Sequence, residues 1–311
     1  MGRAIGTKTA RGVLLVNLAT FLWATNALVG RWLRTEVGPF TLSAARVIIG
    51  AVIFAGLLRQ VPPSERQAGD ERWWLWGMTL SGVVLFSAVY YAGLRFTTAV
   101  NATLVHGFTP LLTHWLAAGI LREPLSRRNV VAALAAWLGV VLIVAGNGTP
   151  QGWRVNAGDV LVLLSAALWS VYSVLARRVT ERRSALAATG LATLWGAPVA
   201  VLLGAVEVIW LPPRWTPMTM AGMVYVGAVP MVIGFWAWTE GVRVLGTQRA
   251  ALFYNTLPLY GAVLAHWLFG EPLTWRHGVG GVIIGVASWW ATRPKAGVHA
   301  LPNRRCNSSS E

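Results

Sequence analysis

Four stretches of this chain set aromatic and polar side chains along one helical face in the middle of long apolar runs. Ala19, Trp23, Asn26 and Gly30 are spaced 4, 3 and 4, as are Ser165, Trp169, Tyr172 and Ala176, so each quartet shares a face. Ala102, His106, Thr109 and Thr113 form a third stripe; Ala250, Tyr254, Leu257 and Gly261 form a fourth, with Asn255 beside it. Polar groups in hydrocarbon are costly unless they are satisfied or face a wet cavity. The stripes therefore point to one shared central cavity, the alternative being helix-on-helix packing through interhelical hydrogen bonds. The chemistry on offer is recognition. The rings of Trp23 and Trp169 can stack on a solute or attract its ammonium by about 0.5–2 kcal/mol, and Asn26 and Tyr172 supply neutral donors and acceptors. His106 can bind a carboxylate or carry a proton, against the plainer reading of a neutral histidine bonded to a neighbouring helix. The candidate solute site is thus Trp23, Asn26, His106, Trp169, Tyr172, Tyr254 and Asn255. Pro110 and Pro258 remove a backbone donor and free the carbonyls of His106 and Tyr254 four residues earlier. They are candidate hinges, or acceptors for an ammonium, although proline is also common in membrane helices without such a role.

What the runs lack narrows the solute. The 11 acidic residues fall in loops, tails or run ends, so no buried carboxylate is expected to bind a cationic drug and a proton in turn. Exchange of organic phosphates calls for clustered buried Lys or Arg, and only Arg46 lies inside a run, where it reads as structural or orienting and able to snorkel outward. The remaining wall of rings, amides and hydroxyls suits a small zwitterion with an apolar or aromatic side chain. Without a buried carboxylate the chain reads as a facilitator more than a proton antiporter, with His106 the residue able to reverse that. No Walker A loop, Rossmann glycine pattern or Ser-x-x-Lys element occurs. No nucleophile–base pair or metal cluster falls at one depth, so the chain is not expected to be an enzyme, and neither cofactor nor metal is called for. The single cysteine, Cys306, excludes an intrachain disulfide. The net charge of +15 comes from short clusters between apolar runs, not from a groove with interleaved aromatics, which argues against nucleic acid.

The elements that must position these residues follow from composition. The chain has 311 residues, 55% of them hydrophobic and only 12% charged, against about 25% charge in soluble domains. Runs long enough to cross a bilayer, about 20 residues each, fall near 12–32, 40–58, 73–94, 98–121, 129–146, 158–176, 185–206, 218–239, 248–269 and 276–292. Pro, Gly and Arg clusters separate them, and helices must carry the spans because lipid offers the backbone no partner. Tryptophans near run ends, such as Trp73, Trp210 and Trp215, read as headgroup anchors. The first run lacks a cleavage site and reads as a retained span. With the N-terminus in the cytoplasm, 19 Lys and Arg lie inside and 6 outside, which fixes ten spans with both termini cytoplasmic.

The chain also repeats itself. Residues 93–128 recur without a gap at 241–276, a shift of 148, and the first stripe recurs in the second at a shift of 146. The expected fold is therefore all-α and integral to the membrane, with ten transmembrane helices as two five-helix halves at 12–146 and 158–292. An external linker (147–157) joins the halves; cytoplasmic tails (1–11 and 293–311) flank them, and 307–311 read as an appended linker. Because five is odd, the second half enters the membrane from the opposite side, giving an inverted-topology repeat as in many secondary transporters. Some channels share that feature.

At this point the chain resembles the drug/metabolite transporter superfamily in its ten-helix EamA-type branch. The likeness is carried by Trp23-Ala24-Thr25-Asn26, by Leu42-Ser43-Ala44-Ala45-Arg46, and by the Pro110 and Pro258 runs, each followed by Glu-Pro-Leu at 123–125 and 271–273. Length and tryptophan content look most like the YddG-type aromatic amino-acid exporter group, although Ala24 stands where many relatives carry glycine. The resemblance implies a multi-pass protein of the cell inner membrane with the bilayer and a small-molecule substrate as its partners. It also implies export of amino acids or related metabolites by alternating access around spans 1, 3, 4, 6, 8 and 9. Drugs, sugars and nucleotide-linked metabolites are the alternative cargo. Oligomeric state is not legible; Gly281 and Gly285 fit a dimer face but fit intramolecular packing better.

Overall fold

The computed structural model describes residues 2–33, 35–67, 69–93, 96–97, 102, 105–145, 157–270 and 273–292. Its regular structure is helical throughout these residues. The main helices are α1 (Gly2–Leu33), α2 (Pro39–Leu57), α3 (Arg72–Gly93), α4 (Thr109–Ile120), α5 (Arg127–Ala145) and α6 (Ala157–Val179). They continue with α7 (Ala185–Trp210), α8 (Pro217–Leu245), α9 (Thr247–Leu252), α10 (Leu257–Phe269) and α11 (Trp275–Thr292). Among the described residues six helices, those at Thr7–Gly30, Pro39–Gln60, Arg72–Gly93, Ala157–Val179, Ala185–Trp210 and Pro217–Leu245, are long and apolar enough to cross a membrane. The run expected at 98–121 is helical at Ala102, Val105 and His106, turns at 107–108 and restarts as α4 at Thr109; 98–101 and 103–104 lie outside the described residues. The run at 248–269 is two helices, α9 and α10, joined by a 3₁₀ turn at Phe253–Thr256.

Local chemistry sets the boundaries. Proline at the first turn opens α2, α4, α8 and α10, where its missing N–H costs no helical bond. Ser184 caps α7 by accepting from Ala187 N, and Thr216 and Thr219 form a reciprocal cap on α8. Helices α4 and α10 end alike, in a left-handed residue. After α10 this is Gly270, φ 68°, where glycine is at no disadvantage; after α4 the same turn falls on Arg122, φ 54°. A side chain there costs about 1–2 kcal/mol. Helices α3 and α8 each widen into a π-helical segment, at Thr79–Leu85 and Val229–Gly234, the second containing Pro230.

The most extensive pairings are α2 along α7, α5 along α11 and α1 along α8. The α2–α7 pair is tied at both ends by a carboxylate at a helix start, where unpaired N–H groups and the helix dipole favour negative charge. Glu207 Oε2, near the end of α7, accepts from Thr41 N at 2.7 Å and Thr41 Oγ1 at 2.9 Å. Glu65 Oε2, just after α2, accepts from Ser184 N at 2.7 Å and Ser184 Oγ at 2.6 Å. Beside it, Arg183 donates to the carbonyls of Glu65 and Gln67 and to the Glu71 carboxylate. The Ser184 hydrogen bonds hold the Glu65 carboxyl below its ordinary value, and the Arg183 hydrogen bond does the same for Glu71. Gly281 packs against Leu259 of the same chain, whereas Gly285 meets nothing.

Candidate functional site

The centre of the bundle is a mass of rings. Trp23 of α1 and Trp169 of α6 meet edge to face with centroids 4.7 Å apart, and Trp169 stacks on Tyr172 at 4.9 Å. Tyr254 of the 3₁₀ turn lies 6.2 Å from Trp23 and 6.0 Å from Trp169. Phe86 of α3 and Phe235 and Trp238 of α8 close around Trp169 at 4.9, 5.5 and 5.6 Å. Contacts of this kind contribute about 0.5–1.5 kcal/mol each beyond burial. Two glycines in the π-helical segments let the rings in. A Cβ at Gly82 would stand 2.1 Å from Tyr172 Cδ2, and one at Gly234 2.9 Å from Trp23 Nε1.

Polar bonds fix the ring edges. Trp23 Nε1 donates to Pro230 O (3.3 Å), Trp238 Nε1 to Ser173 Oγ (3.0 Å), and Tyr172 OH pairs with Thr239 Oγ1 (2.9 Å). His106 touches Ser165 Oγ through Nε2 (2.8 Å) and Tyr254 OH through Nδ1 (3.2 Å). Ser165 has one hydroxyl proton and gives it to Val162 O at 2.7 Å, so the imidazole must be the donor at Nε2. Nδ1 then accepts from the Tyr254 phenol, and this pattern assigns a neutral His106 protonated at Nε2. Three buried atoms close by have no hydrogen-bond partner among the described residues: Trp169 Nε1 and both amide atoms of Asn255. Each such group costs about 1–3 kcal/mol.

The structure thus brings together Trp23, His106, Trp169, Tyr172 and Tyr254, with Asn255 adjacent. Where the stripes suggested an open wall, these rings pack against one another, all 8% exposed or less. Asn26 stands apart, its Nδ2 donating to Tyr91 OH at 3.2 Å. Thr109 and Thr113 serve packing: Thr113 Oγ1 donates to Ser170 Oγ at 3.0 Å, lacing α4 to α6.

Two expectations need correction. Pro110 and Pro258 do not interrupt helices at their middle; each sits in the first turn of a new one. The His106 carbonyl already accepts from Thr109 Oγ1 (2.6 Å), and the Tyr254 carbonyl accepts from the Leu257 N–H. Nor does Arg46 snorkel outward. It is 4% exposed, donates through Nη2 to Ser87 Oγ, and stands 5.5 Å from the Phe235 ring.

Sequence reasoning missed Phe86, Tyr90, Phe235 and Trp238. A π-helical segment shifts the register just before each pair, so no 3.6-residue stripe running through the helix singles them out. Among the described residues no group of His, Cys, Asp or Glu could hold a metal ion.

Comparison with known proteins gives a consistent result. The profile described as the EamA-like transporter family matches residues 10–145 and 156–293. The uncharacterized transporter YyaM of Bacillus subtilis is 25% identical over 206 residues, 65% of this chain and 67% of that protein. The aromatic amino acid exporter YddG of Ancylobacter novellus is 29% identical over 258 residues, 79% of this chain and 87% of that protein. An S-adenosylmethionine/S-adenosylhomocysteine transporter of Chlamydia trachomatis is 20% identical over 270 residues, 83% of this chain and 82% of that protein. One solved crystal structure, 24% identical, matches 91% of this chain and 96% of its own with a TM-score of 0.74, and so shares the fold.

Proposed function

Given that the chain belongs to the EamA-like transporter family, we propose that it exports amino acids, aromatic and other neutral types, or related metabolites by alternating access. In this reading ten spans form two inverted five-helix halves in the cell inner membrane, with both termini cytoplasmic. The observation that carries it is the hydrogen bond between His106 and Tyr254. These residues are 148 apart, the shift of the sequence repeat, which is what a meeting of equivalent positions of two halves at the centre would give. The paired helix restarts at Pro110 and Pro258 and the paired π-helical segments support the same symmetry. Broken helices at matching positions are how such carriers build a site between their halves.

The ring cluster is then the occluded form of that site. A solute with an aromatic side chain replaces ring-on-ring contacts with its own, while its polar end satisfies the Trp169 and Asn255 groups that now lack partners. Differential satisfaction of this kind is what allows a solute to shift the equilibrium between conformers. Pro110 and Pro258, in the first turns of α4 and α10, are the proposed hinges.

Counterflow of a labelled amino-acid panel in proteoliposomes tests the reading. Aromatic amino acids should exchange, and Trp169→Ala and His106→Ala should each lower exchange at least about tenfold in protein that still inserts. Unaltered exchange by both variants rejects the site. The relative from Chlamydia favours a second reading, a nucleoside-linked amino acid as cargo. Competition by S-adenosylhomocysteine stronger than that by phenylalanine would select it.

A further inference from the structure

A guanidinium inside a membrane protein is expected to have a counter-ion, and among the described residues Arg46 has none. It lies about two turns inside α2, 4% exposed. No carboxylate among the described residues stands within ion-pairing distance of it, whereas Arg11, Arg178, Arg182, Arg183 and Arg243 each pair with a glutamate. Of its five N–H donors, one reaches the neutral Ser87 Oγ, and its buried Nε has no partner. An uncompensated charge of this kind marks a functional group by default.

Its surroundings say what would complete it. Arg46 sits 5.5 Å from Phe235, whose ring is 5.5 Å from Trp169 and 5.8 Å from Trp23. Ser87 follows Phe86, which is 4.9 Å from Trp169. The unpaired cation therefore borders the aromatic cluster at one edge. A planar fork of donors fits a carboxylate with two parallel bonds, and a fixed positive charge at this edge works against a cargo that is only cationic.

We infer that Arg46, with Ser87 beside it, is the anchor for a carboxylate on the transported solute. The inference rests on the transport reading above and narrows it: the cargo carries a carboxylate next to a ring or apolar side chain. If Arg46 merely braced α2 against α3 and α8, cargo choice would be indifferent to it.

The test uses matched solutes on the full-length protein: phenylalanine, phenylalaninamide and phenethylamine. Each is measured as a competitor in counterflow and as a ligand raising the melting temperature of the detergent-solubilised protein. The wild type should prefer the acid over both carboxylate-free analogues by at least about tenfold. In Arg46→Met that preference should fall towards one through weaker binding of the acid, and Arg46→Lys should retain part of it. An unchanged ratio in Arg46→Met overturns the anchor, as does a wild type that does not discriminate. Should Arg46→Met fail to fold, Arg46→Lys and Ser87→Ala decide by the same ratio. If no aromatic amino acid exchanges, the transport reading fails by itself, and the melting shifts, repeated over other acid and amide pairs, still decide the anchor.

Discussion

His106 shows how much one proton can settle. Its neighbours dictate that Nε2 carries the hydrogen and Nδ1 accepts from Tyr254, because Ser165 has already given its proton to a carbonyl. Tyr254→Phe keeps the ring and removes only that donor. It should slow exchange about tenfold while leaving the helix content unchanged, as checked by counterflow alongside circular dichroism. At this scale the sequence was partly informative. Trp23, Trp169, Tyr172 and Tyr254 stood out because a large polar-edged ring deep in an apolar run needs a reason. Phe86 and Phe235 did not stand out, since an apolar ring in an apolar run looks like any lipid-facing residue. Arg46 is visible in the sequence but its direction is not, because snorkelling depends on which way the helix face turns, and that is decided by packing.

Helices were easier to read than their irregularities. Apolar runs and Pro-Gly breaks mark the six helices long enough to cross a membrane, because length in hydrocarbon and backbone satisfaction leave few alternatives, but they do not show the interruptions in the runs at 98–121 and 248–269. The π-helical segments in α3 and α8 were not legible, for no residue type demands one. Their glycines carry the consequence: Gly82→Ala would put a methyl 2.1 Å from the Tyr172 ring. It should destabilise the protein by about 1–3 kcal/mol through overpacking, seen as a lower melting temperature in detergent. Arg122→Gly should act in the opposite sense. It gives the left-handed turn after α4 the residue that the turn after α10 already has, and it should raise stability by about 1 kcal/mol, measured the same way.

At the scale of the molecule, charge outside the membrane couples the loops. Glu65 and Glu71 are held below the ordinary Glu value of 4.5 by Ser184 and Arg183. A carboxyl lowered on folding adds stability that is fully present above its unfolded value and is lost as pH falls through its lower folded value. The melting temperature should therefore be flat near neutrality and drop below about pH 4.5, and Glu71→Gln should flatten part of that drop. Placement across the membrane is testable through the sole thiol: an impermeant maleimide should label Cys306 only after intact cells are permeabilised. Labelling of intact cells would reverse the proposed orientation.

The two carboxylate ties, Glu207 on the start of α2 and Glu65 on the start of α7, make those helices one antiparallel strut. A fastened strut is a poor lever but a good fulcrum, so a transport cycle would have to turn about it. Stapling it further, with Gly50→Cys and Thr193→Cys in a background lacking Cys306, should leave turnover intact, whereas an equivalent staple between α1 and α8 should arrest it. Helices that are bolted together before the cargo arrives tell us which parts of this machine are frame, and by subtraction which are gate.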